Sequence, residues 1–458
     1  MSIKLKNFHS FYLIILTLAV AACQPNSDID YVLFSGTIAN TDGTYVTVKG
    51  NNFSYDIDLN SDGTFSDTLR IERGYYLFYS GRERTNIFLD KGYVIDLSID
   101  QPMFDETLIF NNEGKGTNIN NYLANKARLD EELTIDFQSL FSKDEGEFIK
   151  TVADWKEQMT QLLGSSKIED TDFIALESKN VHYEYLVQFI NYEYYHQFAT
   201  KDPEFKVSDG FNQNLADIKL NNESHFNLLS NYKNLIQSYF GAMIQRGEIE
   251  AAFAAIRNIE SSTIKDGIIP SFIYDVQAGN ENAEAIYNGI MSISTDSTIN
   301  AKLTEKIEKI RKLQVGMPSA TFDYHSINDD TVSLADLSGK YLYIDVWATW
   351  CGPCLREIPS LKSLENDYHD APIEFVSISI DVQKDFEKWQ QMVADKELQG
   401  IQLFADNDWK SEFVKAYAID GIPRFIIIDP EGNILDPNAS RPSDPKIREL
   451  FDELTIKS

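Results

Sequence analysis

The sequence predicts a multidomain chain with three parts. These are a β-rich N-terminal sandwich or barrel, a helical middle domain and a C-terminal α/β domain. Three observations predict this. The 458 residues exceed what one hydrophobic core usually organises. Apolar residues alternate with period two, between turn residues, over residues 31–114, and then recur at helical spacing over residues 115–314. From residue 315, continuous apolar runs alternate with helical patterns, as in a sheet with covered faces.

Residues 1–22 read as a leader. Lys4 and Lys6 precede an apolar core, Phe11 to Val20, of about ten residues, too short for a membrane-spanning helix of about 20. Ala21-Ala22-Cys23 resembles a bacterial lipobox. That resemblance implies cleavage before Cys23, lipid on its sulfur and attachment to a lipid membrane. The alternative is a plain secretory peptide with an incidental cysteine. Residues 23–30 then form the lipidated end and a tether. Residue 24 is Gln rather than Asp, which points to the outer membrane, and the expected location is its periplasmic face.

In residues 31–114 the segments Val32–Ile38, Tyr45–Val48, Phe53–Leu59, Phe65–Leu69, Tyr75–Tyr79, Thr85–Leu89 and Tyr93–Ile99 read as strands. Asn40–Gly43 and Asn60–Gly63 are turns. The stretch is similar to a β-domain found before redox domains in lipoproteins of Bacteroidota. In residues 115–314, Ile119–Phe141, Phe148–Leu163, Phe173–Phe198, Phe226–Gln245, Ile249–Ile259 and Ile299–Leu313 carry helical periodicity. Asp202-Pro203, Gly210 and Gly267–Pro270 read as loops. His182 and His196 form no paired metal motif. This part reads as a spacer, a partner face or a dimer face.

The chemistry lies in residues 315–458. Tyr341–Trp347 is an apolar run with the length of a buried strand, and Leu355–Pro359 opens a helix. Trp350-Cys351-Gly352-Pro353-Cys354 lies between them. Two cysteines separated by two residues at a strand-to-helix junction form a redox motif. The helix N-terminus favours a thiolate on Cys351, read as the more exposed of the pair. Gly352 permits a tight turn, and Pro353 suits a first helical turn. Half of a zinc site is the alternative. It lacks two further ligands, since the third cysteine is Cys23 and the six histidines do not cluster.

Asp345–Cys354, with the later Gly421-Ile422-Pro423, resembles the thioredoxin superfamily and most closely its TlpA/ResA-like extracytoplasmic thiol–disulfide oxidoreductases. The resemblance covers about a third of the chain and implies a thioredoxin fold with an N-terminal hairpin. It further implies that Pro423 is cis and faces the cysteines, with the backbone of Ile422 beside Cys351. Pro359 would kink the active-site helix. Asp345 would be the buried acid that deprotonates the resolving cysteine, the alternative being a carboxylate turned to solvent at a strand edge. Glu357 matches an acidic residue of the branch. It would tune a cysteine or touch a partner, or else be a solvated surface acid. Trp350 would shield the disulfide and contact partners.

The expected activity is therefore dithiol–disulfide exchange. Cys351 attacks and Cys354 resolves, with no cofactor beyond the Cys351–Cys354 pair and no metal. The expected partners are disulfide-containing envelope proteins and a membrane thiol–disulfide electron donor. The formal charge of −30 argues against nucleic acid. Gly-Pro between the cysteines resembles reducing members of the superfamily, so reduction is expected. Oxidation or isomerisation of envelope disulfides is the alternative. A peroxiredoxin-like peroxidase would want a Thr-x-x-Cys setting, which Thr349-Trp350-Cys351 does not supply. A non-enzymatic envelope interaction lipoprotein is the remaining class. Oligomeric state is not encoded visibly.

Overall fold

A computed structural model describes residues 29–50, 53–133, 136–216 and 218–457. The leader and Cys23 lie outside the described residues. The chain forms two compact units. Among the described residues, those up to 133 together with 157–174 make up one, and 136–156 together with those from 175 onward make up the other.

In the first unit, eight strands pair into two four-stranded sheets: β1 (Val32–Ala39), β2 (Tyr45–Gly50), β3 (Phe53–Asp58), β4 (Thr64–Leu69), β5 (Gly74–Ser80), β6 (Glu83–Leu89), β7 (Val94–Asp100) and β8 (Ile109–Phe110). Their orders are β4-β1-β7-β8 and β3-β2-β5-β6. Alternation puts every second side chain inside, as in β5. Phe34 and Phe65 of one sheet meet Phe78 of the other at 5.8 and 6.2 Å between centroids, so the β-rich part is a sandwich. A short helix, α1 (Phe104–Thr107), precedes α2 (Thr117–Leu133). The buried Asn120 of α2 accepts from the Phe88 amide and donates to the Phe88 carbonyl at 2.7 and 2.9 Å. That satisfies the edge of β6. The parallel pairing of β1 with β7 brings together residues 61 positions apart, such as Leu33 and Val94, and left no mark in the local pattern.

The remaining helices before residue 315 are α3 (Phe137–Phe141), α4 (Glu145–Ser165), α5 (Thr171–Thr200), α6 (Glu223–Leu228), α7 (Ser230–Gln245), α8 (Ile249–Arg257), α9 (Ser262–Ile268), α10 (Pro270–Ile273), α11 (Ala283–Ile293) and α12 (Ser297–Ile310). Phe148, Phe189, Tyr192 and Phe211 form an aromatic core in the second unit. The aromatic stripe of residues 173–198 is only partly interior, because Tyr194 and Phe198 are exposed. The expected loop at Gly267–Pro270 is instead a joint between two short helices. Ile268 and Ile269 are fully buried, and Pro270 occupies a first helical turn, where its missing N–H costs nothing. His182 lies against Lys156 at 3.1 Å, and the His196 ring lies 4.0 Å from that of Phe205, tilted by 40°.

The C-terminal part of the same unit is a seven-stranded mixed sheet: β9 (Asp323–Ser326), β10 (Thr331–Ser333), β11 (Tyr341–Trp347), β12 (Ile373–Ser379), β13 (Ile401–Phe404), β14 (Arg424–Ile428) and β15 (Ile434–Asp436). The order is β10-β9-β13-β12-β11-β14-β15, the thioredoxin-like arrangement preceded by a hairpin. Strand β11 pairs parallel with β12 and antiparallel with β14. Its carboxyl end launches α13 (Gly352–Asp367), and α14 (Phe386–Asp395), α15 (Glu412–Ala416) and α16 (Pro445–Lys457) complete the layers. Along β11, Leu342, Ile344 and Val346 enter the core that holds Trp389, Phe404 and Phe413. Tyr343 enters the opposite core, with Phe375, Phe425 and Phe451. Asp345 shares the Tyr343 face by parity, so an interior strand buries a carboxyl.

Candidate active site

Cys351 caps the N-terminus of α13 and is bonded to Cys354, with their Cα atoms 5.3 Å apart. The Cys354 amide donates to the Cys351 sulfur at 3.1 Å. In the reduced protein this N–H and the helix terminus stabilise negative charge on that sulfur. The expectation that Cys351 is the more exposed cysteine is not met. Each cysteine is 4% exposed, where a short loop joins β11 to α13. Gly352 and Pro353 are exposed, as is Trp350, whose ring is 6.3 Å from that of Trp409.

That loop is held by residues the sequence reading missed. Asp381, fully buried just after β12, accepts from the Thr349 amide and the Thr349 hydroxyl, both at 2.8 Å. It also accepts from the Ser379 hydroxyl at 2.8 Å. Three donors on one buried carboxylate fix the backbone two residues before Cys351. The available signal was an acid directly after an apolar strand, Ser379-Ile380-Asp381, which local periodicity does not distinguish from a turn.

The peptide bond Ile422-Pro423 is cis, and both residues are half-buried. Next to it, the buried Arg424 donates to the Gln277 side chain at 2.9 Å. Asp420 pairs with Lys306 at 2.6 Å. A methyl group on Gly421 would stand 3.3 Å from the Tyr274 ring. Gly279, at φ +79°, approaches Asn438 so closely that a Cβ would lie 2.7 Å from it. The segment Tyr274–Gly279 therefore packs on the loop that carries Pro423, a contact across more than 140 residues that no local pattern announces.

Asp345 is buried on β11 and not at a sheet edge, which removes the solvent-facing alternative. Burial pushes its carboxyl up to about 8, and the negative charges of Glu357 and Glu365 add to the shift. Glu357 is not a freely solvated acid. Its carboxylate accepts from the Ser443 amide at 3.1 Å and the Ser443 hydroxyl at 3.0 Å, and Arg441 stands 3.9 Å away. Among the described residues no group of His, Cys, Asp or Glu could hold a metal ion. The redox centre is the cystine itself.

The family model described as Redoxin matches residues 314–450. The C-terminal domain is a thioredoxin-like thiol–disulfide oxidoreductase domain with a Cys-x-x-Cys active site. "Thiol-disulfide oxidoreductase ResA" of Oceanobacillus iheyensis is 26% identical to it over 164 residues, which span 34% of this chain and 82% of that protein. "Thioredoxin-like protein YneN" of Bacillus subtilis is 27% identical over 124 residues, 27% of this chain and 71% of that one. A solution structure of a thiol-disulfide oxidoreductase from Bacteroides vulgatus is 55% identical over 31% of this chain and 91% of its own, with a TM-score of 0.28.

Proposed function

We propose that this protein reduces disulfides of envelope proteins by dithiol–disulfide exchange. The observation that carries this reading is the placement of Cys351 at the start of α13, with the Cys354 amide aimed at its sulfur. The Cys351 thiolate attacks a partner disulfide and expels one partner thiolate, leaving a mixed disulfide. Cys354 then loses its proton and attacks the Cys351 sulfur. The second partner thiolate leaves, and the partner has gained the two electrons lost by the cysteine pair. Asp345, on the strand beneath, takes the Cys354 proton in its ionised form. Trp350, Gly352, Pro353 and the Ile422-Pro423 backbone form the rim against which an extended partner chain rests. Glu357 sets the charge around Asp345.

Reduction is favoured over oxidation because the residues between the cysteines place no cationic side chain beside the thiolate. The names of the curated relatives agree with the reaction class and leave direction open. A membrane thiol–disulfide donor supplies electrons, and lipid on Cys23 tethers the chain at the periplasmic face of the outer membrane. The test is insulin-disulfide reduction by the full chain with dithiothreitol, with Cys351→Ser as the inactive control. Equilibration of the full chain with glutathione buffers then fixes direction. A potential below about −200 mV supports a reductase, whereas one near −120 mV would make the protein an oxidase or isomerase.

A further inference from the structure

Behind Cys354 lies a small enclosed cavity that the exchange chemistry described so far does not use. Asp345 and Trp347 of β11 line it, with Cys354, Ile358, Lys362 and Glu365 of α13. Ser377 of β12, Gln402 of β13 and the segment Leu398–Gln399 close it. Its free volume is about 10 Å³, the size that holds a single water molecule. Four buried polar atoms on these walls have no protein hydrogen-bond partner: Asp345 Oδ1, Glu365 Oε2, Gln402 Oε1 and Trp347 Nε1. Orphaned polar atoms in a protein interior are costly, and four on one cavity call for a shared explanation.

Glu365 is the unexpected member. It lies eleven residues beyond Cys354 on the same helix, on the face turned to the sheet, and is 7% exposed. Gly400, at φ +66°, lets the backbone come within contact of it; a Cβ there would stand 3.1 Å from Glu365 Oε1. Two carboxyl groups on one cavity cannot both ionise cheaply, so one retains its proton.

We propose that Glu365 and Asp345 are a coupled carboxyl pair sharing one proton across this cavity, and that the pair, rather than Asp345 alone, receives the proton of Cys354. The inference deepens the proposed exchange reaction and rests on Cys354 being its resolving thiol. In that step the S–H bond of Cys354 breaks and the S–S bond to Cys351 forms. The bond between Cys351 and the partner sulfur breaks, and the partner leaves as a thiolate. The proton passes to Asp345 while the shared proton sits on Glu365, and Glu365 thereby sets how readily it is accepted. Glu365 is thus a positioning residue.

The charges facing the pair are few. On α13, burial pushes the Glu365 carboxyl up to about 7, while Lys362 draws it down. Lys362 itself lies 3.9 Å from Glu397. Glu357, on the same helix, raises Asp345. On β11, Tyr343 is held protonated well above its usual range. The groups contributed by β12, β13 and residues 398–399 are uncharged. The repulsion between the two carboxyls belongs to the pair and raises whichever ionises second.

The test uses the full chain. Infrared spectra of the oxidised protein, recorded between about pH 5 and pH 9, follow the buried carboxylic acid band. The parent should lose it in two steps, and Glu365→Gln and Asp345→Asn in one each. In Glu365→Gln the remaining step should fall by about one unit, the size of a neighbouring-charge effect. The pH midpoint of single-turnover insulin reduction should fall with it. Adding Glu365→Gln to Asp345→Asn should change the rate profile no further. A merely structural role for Glu365 would alter rates without moving either midpoint, and unmoved midpoints overturn the inference. If Glu365→Gln does not fold, a single infrared step in the parent overturns it instead. If the parent titrates in two steps but reduces no disulfide, the carboxyl pair stands and the exchange reading fails.

Discussion

Replacing Asp345 by Asn exchanges a buried carboxyl for a neutral group of the same size, so the packing around β11 is retained. In the unfolded chain this carboxyl ionises at its ordinary 3.8, and in the folded protein at about 8. The sign follows from proton counting. Below about pH 4 both states hold the proton and the group is neutral to folding. As pH rises the unfolded chain ionises first, so stability present at low pH is lost progressively until the folded carboxyl also ionises. Each unit of displacement corresponds to about 1.4 kcal/mol. The parent should therefore lose about 1.4 kcal/mol per pH unit from this group between about pH 5 and 7.5, and about 4 kcal/mol in all by pH 7. Relaxation and water penetration make the total an upper estimate. The Asn variant lacks this slope, so the two stability curves should diverge with rising pH and run parallel above about pH 8. Urea unfolding of the oxidised full chain, followed by tryptophan fluorescence, measures it. Four of the five tryptophans lie between residues 347 and 409, so the signal reports the domain that holds Asp345. A stability difference that stays constant from pH 5 to pH 8 would refute the burial argument.

Cys354→Ser should accumulate mixed disulfides with envelope proteins on non-reducing gels, and Cys351→Ser should not; equal trapping by both would reverse the assignment of attacking and resolving thiols. Reduced Cys351 should alkylate with an apparent pKa below the roughly 8.5 of a free cysteine, and a value at or above that would remove the helix-terminus argument. Asp381→Ala strands the Thr349 amide and hydroxyl in the interior and should cost about 2–4 kcal/mol, read as a lowered urea midpoint with slowed insulin reduction. An unchanged midpoint would show that this network does not hold the loop.

What the sequence made legible was local. The Cys351–Cys354 spacing, the strand before it and Pro423 each carry their meaning within a few residues, and the element order after residue 315 follows from apolar runs. Asp345 was readable because a charge inside an apolar strand is anomalous. Glu365 was not, because on a helix an acid every few residues is the ordinary pattern of a solvated face. Only the packing of α13 on β11, β12 and β13 shows that this one is turned inward. Asp381 was hidden for a related reason, since its partner Thr349 is 32 residues away. In the helical part, periodicity found the helices and misjudged Gly267–Pro270, where glycine and proline sit at a helix joint and buried Ile268 and Ile269 decide the structure.

The packing of residues 274–279 against the Pro423 loop bears on where the chain can be divided. A cut at residue 315 follows the sequence boundary and yields a fragment that holds every cysteine of the redox site. It also strips Arg424 of its Gln277 acceptor, Asp420 of the Lys306 ammonium and Gly421 of the Tyr274 ring. These three residues flank the cis peptide bond on both sides. The fragment would present a buried guanidinium to water one residue from Pro423. Potentials and partner affinities measured on it would describe a rim that the intact chain does not possess.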